Sequence, residues 1–327
     1  MNIGLNITRN SSKFDFFLNK IRNKTHNYKQ CNFINVSDSL KLKSNINELD
    51  ILLTYKMSPE IFKYASNKLK WIHFGVAGVE ESLFQNIINS KTILTNCSGI
   101  HAGPVSEFIM ASILYYSKRF KECHDFKLNK QWKQRAIAKT MIQLKNKKLG
   151  IIGYGEIGKA TAKLAKQFGM HIIATKRLQK HISSNRYVDQ LIPLSEIKTL
   201  YEDSDFIAIT CPLTPLTKNM ISYKQFKLMK DNAYVINISR GAVLDDNALI
   251  YALDNCQISG AAIDVFSTEP IDSNHLFFNY DNLFLSPHIS GNFPEYQSEM
   301  IDQFCDNLLR FLNDKSLKNR ICKKHFY

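Results

Sequence analysis

No run of apolar residues in this 327-residue sequence approaches the ~20 that a membrane-spanning helix needs. The N-terminal MNIGLNITRN has no basic region followed by a long apolar stretch, so no secretory leader is expected. The seven cysteines (Cys31, Cys97, Cys123, Cys211, Cys256, Cys305 and Cys322) form no CxxC pair and no metal-ligand spacing. That argues against a disulfide framework and a metal site, and an odd, dispersed set predicts reduced thiols in a cytoplasmic protein. There is no zinc finger, basic zipper or dense basic block with interleaved aromatics. The excess of 43 Lys+Arg over 29 Asp+Glu, a formal +14, is spread along the chain. It reads as a solvated basic surface with mild steering of anionic ligands rather than a nucleic-acid face. Internal repeats and low-complexity tracts are also missing. What remains, 44% hydrophobic and 22% charged residues, is the profile of a soluble globular chain long enough for two domains.

From residue 1 to about 100, short β-rich runs alternate with polar, helix-compatible stretches. The runs are Asn2–Ile7, Asn32–Val36, Asp50–Thr54, Trp71–Phe74 and Thr92–Thr95. Helical periodicity then covers Val105 to Phe120, and a polar, Lys-rich segment (121–148) follows. A second series of strands is predicted at Lys148–Ile152, His171–Thr175, Phe206–Thr210, Ala233–Ile238, Gly260–Val265 and Leu283–Ser286. Strands separated by helical segments predict parallel sheets with crossover helices, so the fold class is α/β with two doubly wound units. The tail from about 294 carries Ile301, Phe304, Leu308, Leu309 and Leu312 on one stripe and is expected to cross back to the first unit.

The strongest local signal is Leu149-Gly-Ile-Ile-Gly153-Tyr154-Gly155-Glu156-Ile157-Gly158. A bare GxGxxG is weak, but here it closes an apolar strand and opens a helical stretch, Lys159–Phe168, which is the context dinucleotide binding requires. Gly153 permits the tight turn, Gly155 lets the backbone approach a pyrophosphate, and Gly158 allows close helix–strand contact. An ordinary Gly-rich βα turn is the competing account. At the end of the next strand an NAD enzyme places an acid that accepts from the ribose hydroxyls. This chain has Thr175-Lys176-Arg177 instead, and two cations suit a 2′-phosphate. NADP(H) is therefore preferred, with NAD(H) as the alternative if the pair is only surface charge.

Three further strands each deliver a polar residue at or just past the C-terminal end, the edge where open α/β sheets bind ligands. They carry Arg240 in Ile238-Ser239-Arg240-Gly241, Glu269 in Asp264-Val-Phe-Ser-Thr-Glu269-Pro270, and His288 in Ser286-Pro287-His288-Ile-Ser-Gly291. Hydride reduction of a 2-keto acid needs a clamp for the carboxylate, a polarised carbonyl and a proton donor. Arg240 can clamp and polarise, His288 can donate the proton, and Glu269 can orient and charge the imidazole.

The sequence resembles the D-isomer-specific 2-hydroxyacid dehydrogenases over most of its length. The matching segments are Trp71-Ile-His-Phe-Gly75-Val76-Ala77-Gly78-Val, Cys97-Ser-Gly99 through Glu107, the glycine turn, Cys211-Pro212-Leu-Thr-Pro215-Leu-Thr217, and the Arg240, Glu269 and Pro287-His288 segments. The resemblance implies a catalytic Arg240, Glu269 and His288, and a substrate-carboxylate loop at Val76, Ala77 and Gly78. The implied cofactor contacts are Gly153, Tyr154, Gly155, Glu156, Ile157, Gly158, Thr175, Lys176, Arg177, Cys211, Pro212, Thr217, Ile238, Ser239, Asp264, His288 and Gly291. It implies two Rossmann/flavodoxin-like domains, the nucleotide-binding one (101–290) inserted between two parts of the substrate domain (1–100 and 291–327), and a homodimer. At Lys176 and around Ser98–Glu107 the sequence is nearest the NADP-preferring glyoxylate/hydroxypyruvate reductases. A phosphoglycerate dehydrogenase-type enzyme and a non-catalytic, dinucleotide-sensing corepressor of the same fold are the alternatives. Partners expected are thus a small 2-keto or 2-hydroxy acid and a second copy of the chain, with no nucleic acid and no membrane.

Overall fold

The computed structural model describes residues 1–28 and 30–323. It divides into two compact units, one made of Met1–Ile100 and the segment that begins at Phe293, the other of His101–Asn292.

The first unit runs β1 (Asn2–Asn6), α1 (Ser11–Lys24), β2 (Asn32–Asn35), α2 (Ser39–Asn45), β3 (Ile51–Thr54), α3 (Pro59–Phe62), β4 (Trp71–Phe74), α4 (Gln85–Asn89) and β5 (Ile93–Asn96). Its sheet is parallel, in the order β2-β1-β3-β4-β5. Successive strand residues turn to opposite faces, and here both faces are apolar. Ile3, Leu5, Ile51, Leu53 and Trp71 fill one core, while Leu52, Ile72, Phe74 and Leu94 fill the other.

The second unit opens with α5 (Ala102–Ser117), α6 (Phe120–Asn129) and α7 (Gln134–Thr140). It continues β6 (Lys148–Ile152), α8 (Glu156–Gln167), β7 (His171–Thr175), β8 (Ser183–Asn185), β9 (Val188–Ile192), α9 (Ile197–Asp203), β10 (Phe206–Ile209), α10 (Tyr223–Phe226), β11 (Tyr234–Asn237), α11 (Asp246–Asp254), β12 (Gly260–Ile263) and β13 (Leu283–Leu285). The sheet order is β13-β12-β11-β10-β6-β7-β9-β8, parallel except where β8 meets β9. The order reverses between β6 and β10, so the loops leaving those two strands diverge and open a crevice. The chain then returns to the first unit as α12 (Tyr296–Leu312), which buries Met300, Ile301, Phe304, Cys305 and Leu308. Within that unit Trp71 stacks on Phe304 and Phe311 at 5.4 and 5.6 Å between ring centres.

The α/β class and the two Rossmann-like sheets agree with the sequence. Several details differ. The segment at 121–148 holds α6 and α7, which bury no residue and so lack the apolar periodicity that marks a helix. β8 is wholly exposed and β9 mixes buried and exposed positions, so neither shows a strand's alternation. Helix α5 starts three residues early because Pro104, in the first turn, loses no hydrogen bond there. It stops at Ser117 because Arg119 turns left-handed, φ 56°. No helix among the described residues is long and apolar enough to cross a membrane.

One buried polar cluster carries a stability prediction. Trp71 Nε1 and His73 Nδ1 both reach Thr95 Oγ1, at 2.8 and 2.7 Å, and His73 Nε2 lies 3.4 Å from Cys97 Sγ. Burial alone pushes the His73 pKa down to about 3. The unfolded chain therefore takes up a proton below about pH 6.5 that the native state refuses. Stability should fall by up to about 1.4 kcal/mol per pH unit from this residue between pH 6 and 4. Urea titrations of wild type and His73→Gln across that range check it, and equal slopes in the two proteins would remove His73 as the cause.

Candidate active site

The glycine turn sits at the β6/β10 crevice. Gly153 has φ +106°, and a Cβ there would lie 2.8 Å from the Cys211 backbone, so the loop after β10 packs directly on the turn. Thr210 Oγ1 joins the two loops by donating to Gly153 O at 2.7 Å. Thr175, at the end of β7, accepts from Gly153 N (3.3 Å) through its hydroxyl and from Tyr154 N (2.7 Å) through its carbonyl. A Cβ on Gly158 would lie 2.5 Å from Gly153 O, which is why the helix can start so close to the turn. Gly155 is different. A Cβ there would meet no protein atom within 4 Å, so protein packing does not require glycine at this position. Close approach of a phosphate to the first turn of α8 does. The turn thus fits a dinucleotide.

Around it, Thr217 Oγ1 donates to Pro212 O (2.7 Å) and accepts from Thr214 N (2.8 Å), closing the loop after β10. Lys176 is exposed and Arg177 half-buried in the turn that follows β7. Ile238 and Ser239 are buried at the end of β11. Gly291 O lies 2.9 Å from His101 Nδ1, bringing together the two ends of the inserted unit.

Arg240, Glu269 and His288 all belong to this unit. Asn237, the last residue of β11, shapes the first of them. Its Oδ1 accepts from Ser239 N and Oγ, and its Nδ2 donates to Arg240 O. The Arg240 guanidinium is half-buried and donates to Ser239 O at 2.7 Å. Glu269 Oε1 accepts from Phe266 N at 2.9 Å, and Oε2 lies 2.7 Å from His288 Nδ1. Partial burial pushes the Glu269 carboxyl up, but the bonds from His288 and Phe266 and the charges of His288 and Arg240 outweigh it and hold the pKa below the ordinary carboxylate value. Ionised Glu269 can only accept, so Nδ1 carries the hydrogen and Nε2 is the ring atom left to exchange a proton.

His288 itself has φ +53°, a conformation that non-glycine residues rarely hold without support. Asp264 provides the support. It is fully buried; its carbonyl accepts from His288 N (2.8 Å) and its carboxylate from Ser286 Oγ (2.5 Å), Ile289 N (2.9 Å) and Ser290 N (3.0 Å). The resemblance implies a cofactor contact for Asp264; in this structure it is fully buried and its side chain accepts from the turn that aims His288. Asn237 and Thr210 were missed, since nothing but a polar residue at the end of an apolar strand marks them.

Val76, Ala77 and Gly78 lie in the other unit, just past β4. Three consecutive carbonyls there are engaged: Gly75 O by Tyr296 Oη (2.5 Å), Val76 O by Cys97 N (3.0 Å) and Ala77 O by Asn96 Nδ2 (2.7 Å). In a trans peptide the N–H points opposite to its C=O, so the N–H groups of residues 76, 77 and 78 are turned away from those partners. No cluster of metal-ligating side chains occurs among the described residues.

Residues 110–290 match the family model for the D-isomer specific 2-hydroxyacid dehydrogenase, NAD binding domain. Over 290 residues the chain is 34% identical to a glyoxylate reductase of Thermococcus litoralis, covering 86% of each protein. It is 33% identical over 285 residues to a glyoxylate reductase of Pyrococcus furiosus, covering 83% of this chain and 82% of that one. The NADPH-dependent glyoxylate/hydroxypyruvate reductase of Sinorhizobium meliloti, solved with NADP and sulfate, superposes with a TM-score of 0.83 over 100% of this chain and 99% of that one, at 19% identity.

Proposed function

Because the chain belongs to the D-isomer specific 2-hydroxyacid dehydrogenase family and is an NAD(P)H-dependent keto-acid reductase, we propose that it reduces a small 2-keto acid of the glyoxylate or hydroxypyruvate kind to the D-2-hydroxy acid. The observation that carries the catalytic assignment is the 2.7 Å pair of His288 Nδ1 and Glu269 Oε2, with Arg240 near enough for its charge to act on Glu269. The bound nicotinamide supplies the hydride for the carbonyl carbon. Arg240 holds the substrate carboxylate and draws electron density toward the carbonyl oxygen. His288 Nε2–H gives its proton to that oxygen as negative charge develops, and Glu269 steadies the imidazolium. The N–H groups of Val76, Ala77 and Gly78 are assigned to the substrate carboxylate. Steady-state assays of 2-keto acids with NADH and NADPH test the reading, and failure to reduce any of them would end it.

The same reading makes NADPH the preferred cofactor, through Lys176 and Arg177. Charged hydrogen bonds at a partly screened site should favour NADPH roughly ten- to hundredfold in kcat/KM. Lys176→Asp combined with Arg177→Ala should abolish that preference, and added salt should weaken it in the unmutated enzyme. Equal or better kcat/KM with NADH in the unmutated enzyme would reduce the pair to surface charge. Pairing of two copies is included: α6 and the residues after it expose Phe126 (40%) and Trp132 (77%), packed edge to face, an apolar surface that a second copy would cover. A monomer in sedimentation at micromolar concentration would remove that part. The seven unpaired thiols suit a cytoplasmic location.

A further inference from the structure

The five-stranded sheet has a strand-order reversal of its own, between β1 and β3. Loops leaving those strands at their C-terminal ends diverge, and such a gap is where open α/β sheets take ligands. Two contiguous hollows lie along this edge, one of about 490 Å³ between the loops after β2 and β1 and one of about 450 Å³ that extends across the β1–β3 gap, sharing Thr8, Arg9, Ser37, Asp38 and Ser39. Thr8 and Arg9 follow β1, Ser37 to Ser39 follow β2, and Lys56 enters from the loop after β3.

The charge of the cleft is uneven. Arg9, Lys41 and Lys56 line it against a single carboxylate, Asp38. Asp38 caps α2 through Lys41 N (2.7 Å) and pairs with Lys41 Nζ at 3.7 Å. Lys56 is paired with Glu81. Arg9 is exposed, and among the described residues its guanidinium has no ion pair or hydrogen bond. Thr8 Oγ1 accepts from Asn10 N at 3.2 Å, which leaves its hydroxyl hydrogen to be donated elsewhere.

The cleft shares a sheet edge with the Val76–Gly78 loop. β4 pairs with β3 and β3 with β1, so the ends of β4 and β1 are two strand spacings, about 10 Å, apart. A 2-keto acid held by its carboxylate on the loop can direct its far end along this edge toward Arg9. We infer that the cleft between β1 and β3 recognises a second anionic group, a carboxylate or a phosphate, at the distal end of a 2-keto acid, with Arg9 as its counter-ion and Thr8 and Ser39 as hydrogen-bond donors. This rests on the keto-acid reading above and deepens it. Arg9 suits the role because its planar fork matches either oxyanion in bidentate geometry.

The test compares matched substrate pairs on the whole enzyme: 2-ketoglutarate against 2-ketovalerate for a carboxylate, and phosphohydroxypyruvate against hydroxypyruvate for a phosphate. The unmutated enzyme should favour the anionic member of at least one pair about tenfold in kcat/KM, and which pair does so identifies the group. Arg9→Gln should bring that ratio close to one, whereas Arg9→Lys should keep part of it, and salt should diminish it. No anionic advantage, or one that survives Arg9→Gln, overturns the inference. If hydroxypyruvate is reduced without such an advantage, only this inference falls. If none of the four acids is reduced, the keto-acid reading beneath it has failed.

Discussion

His288→Ala should lower kcat by about 10²- to 10⁴-fold, the range of a general acid's contribution, while dinucleotide binding persists. The two halves of that expectation have separate structural grounds. The imidazole is the group whose Nε2 can pass a proton, since Nδ1 is committed to Glu269 at 2.7 Å. The glycine turn is built by other residues, with Gly153 tied to Thr175 and Thr210. Fluorescence titration of NADPH and steady-state kcat report the halves independently. Glu269→Gln should fall between wild type and His288→Ala, because the imidazole stays in place but loses the carboxylate that accepts from Nδ1 and fixes its orientation. A kcat for His288→Ala within threefold of wild type would sink the assignment.

Gly241→Ala should damage the site almost as severely without touching a reacting group. A Cβ at Gly241 would lie 1.9 Å from the Phe266 carbonyl carbon and 2.3 Å from Ser267 N, so backbone must move. The backbone displaced is the loop that carries Glu269, and Phe266 N is itself the donor to Glu269 Oε1. Overpacking of this kind costs about 1–3 kcal/mol of stability, and more where only backbone can yield. The catalytic consequence follows from geometry: displacement of about 1 Å in the group that orients His288 can cost 10²-fold in rate. Urea unfolding measures the first effect and kcat of the folded protein the second. Lost stability with unchanged kcat would show that the Arg240 turn and the Glu269 loop are not coupled.

The sequence carried most of the strands, and it brought forward Arg240, Glu269 and His288 as candidates, because both are written in local patterns. Apolar strands such as Phe206–Ile209 stand out against polar loops, and Arg240, Glu269 and His288 each follow such a strand. It did not carry α6, whose residues are all at least partly exposed, because a helix that buries nothing has no periodicity to read. Nor did it carry the work of Asp264. That carboxylate holds Ile289 N and Ser290 N from 25 and 26 residues away, a contact set by sheet register rather than by spacing along the chain. Asn96 and Asn237 are similar: each ends a strand, and only the folded loop shows which carbonyl it engages.

The return of α12 to the first unit has a consequence for how the protein is made. The inserted unit is one continuous stretch, complete once Asn292 has emerged from the ribosome. The first unit's core, by contrast, holds Trp71 against Phe304 and Phe311, residues synthesised more than two hundred positions later. Domains fold as units during synthesis, at about 5–20 residues per second. The N-terminal strands therefore wait on the order of ten seconds or more, with one apolar face covered by α1 alone, while the inserted unit is translated and folds ahead of them. The half that begins the chain is the half that finishes last, and in that interval it is the natural client of a chaperone.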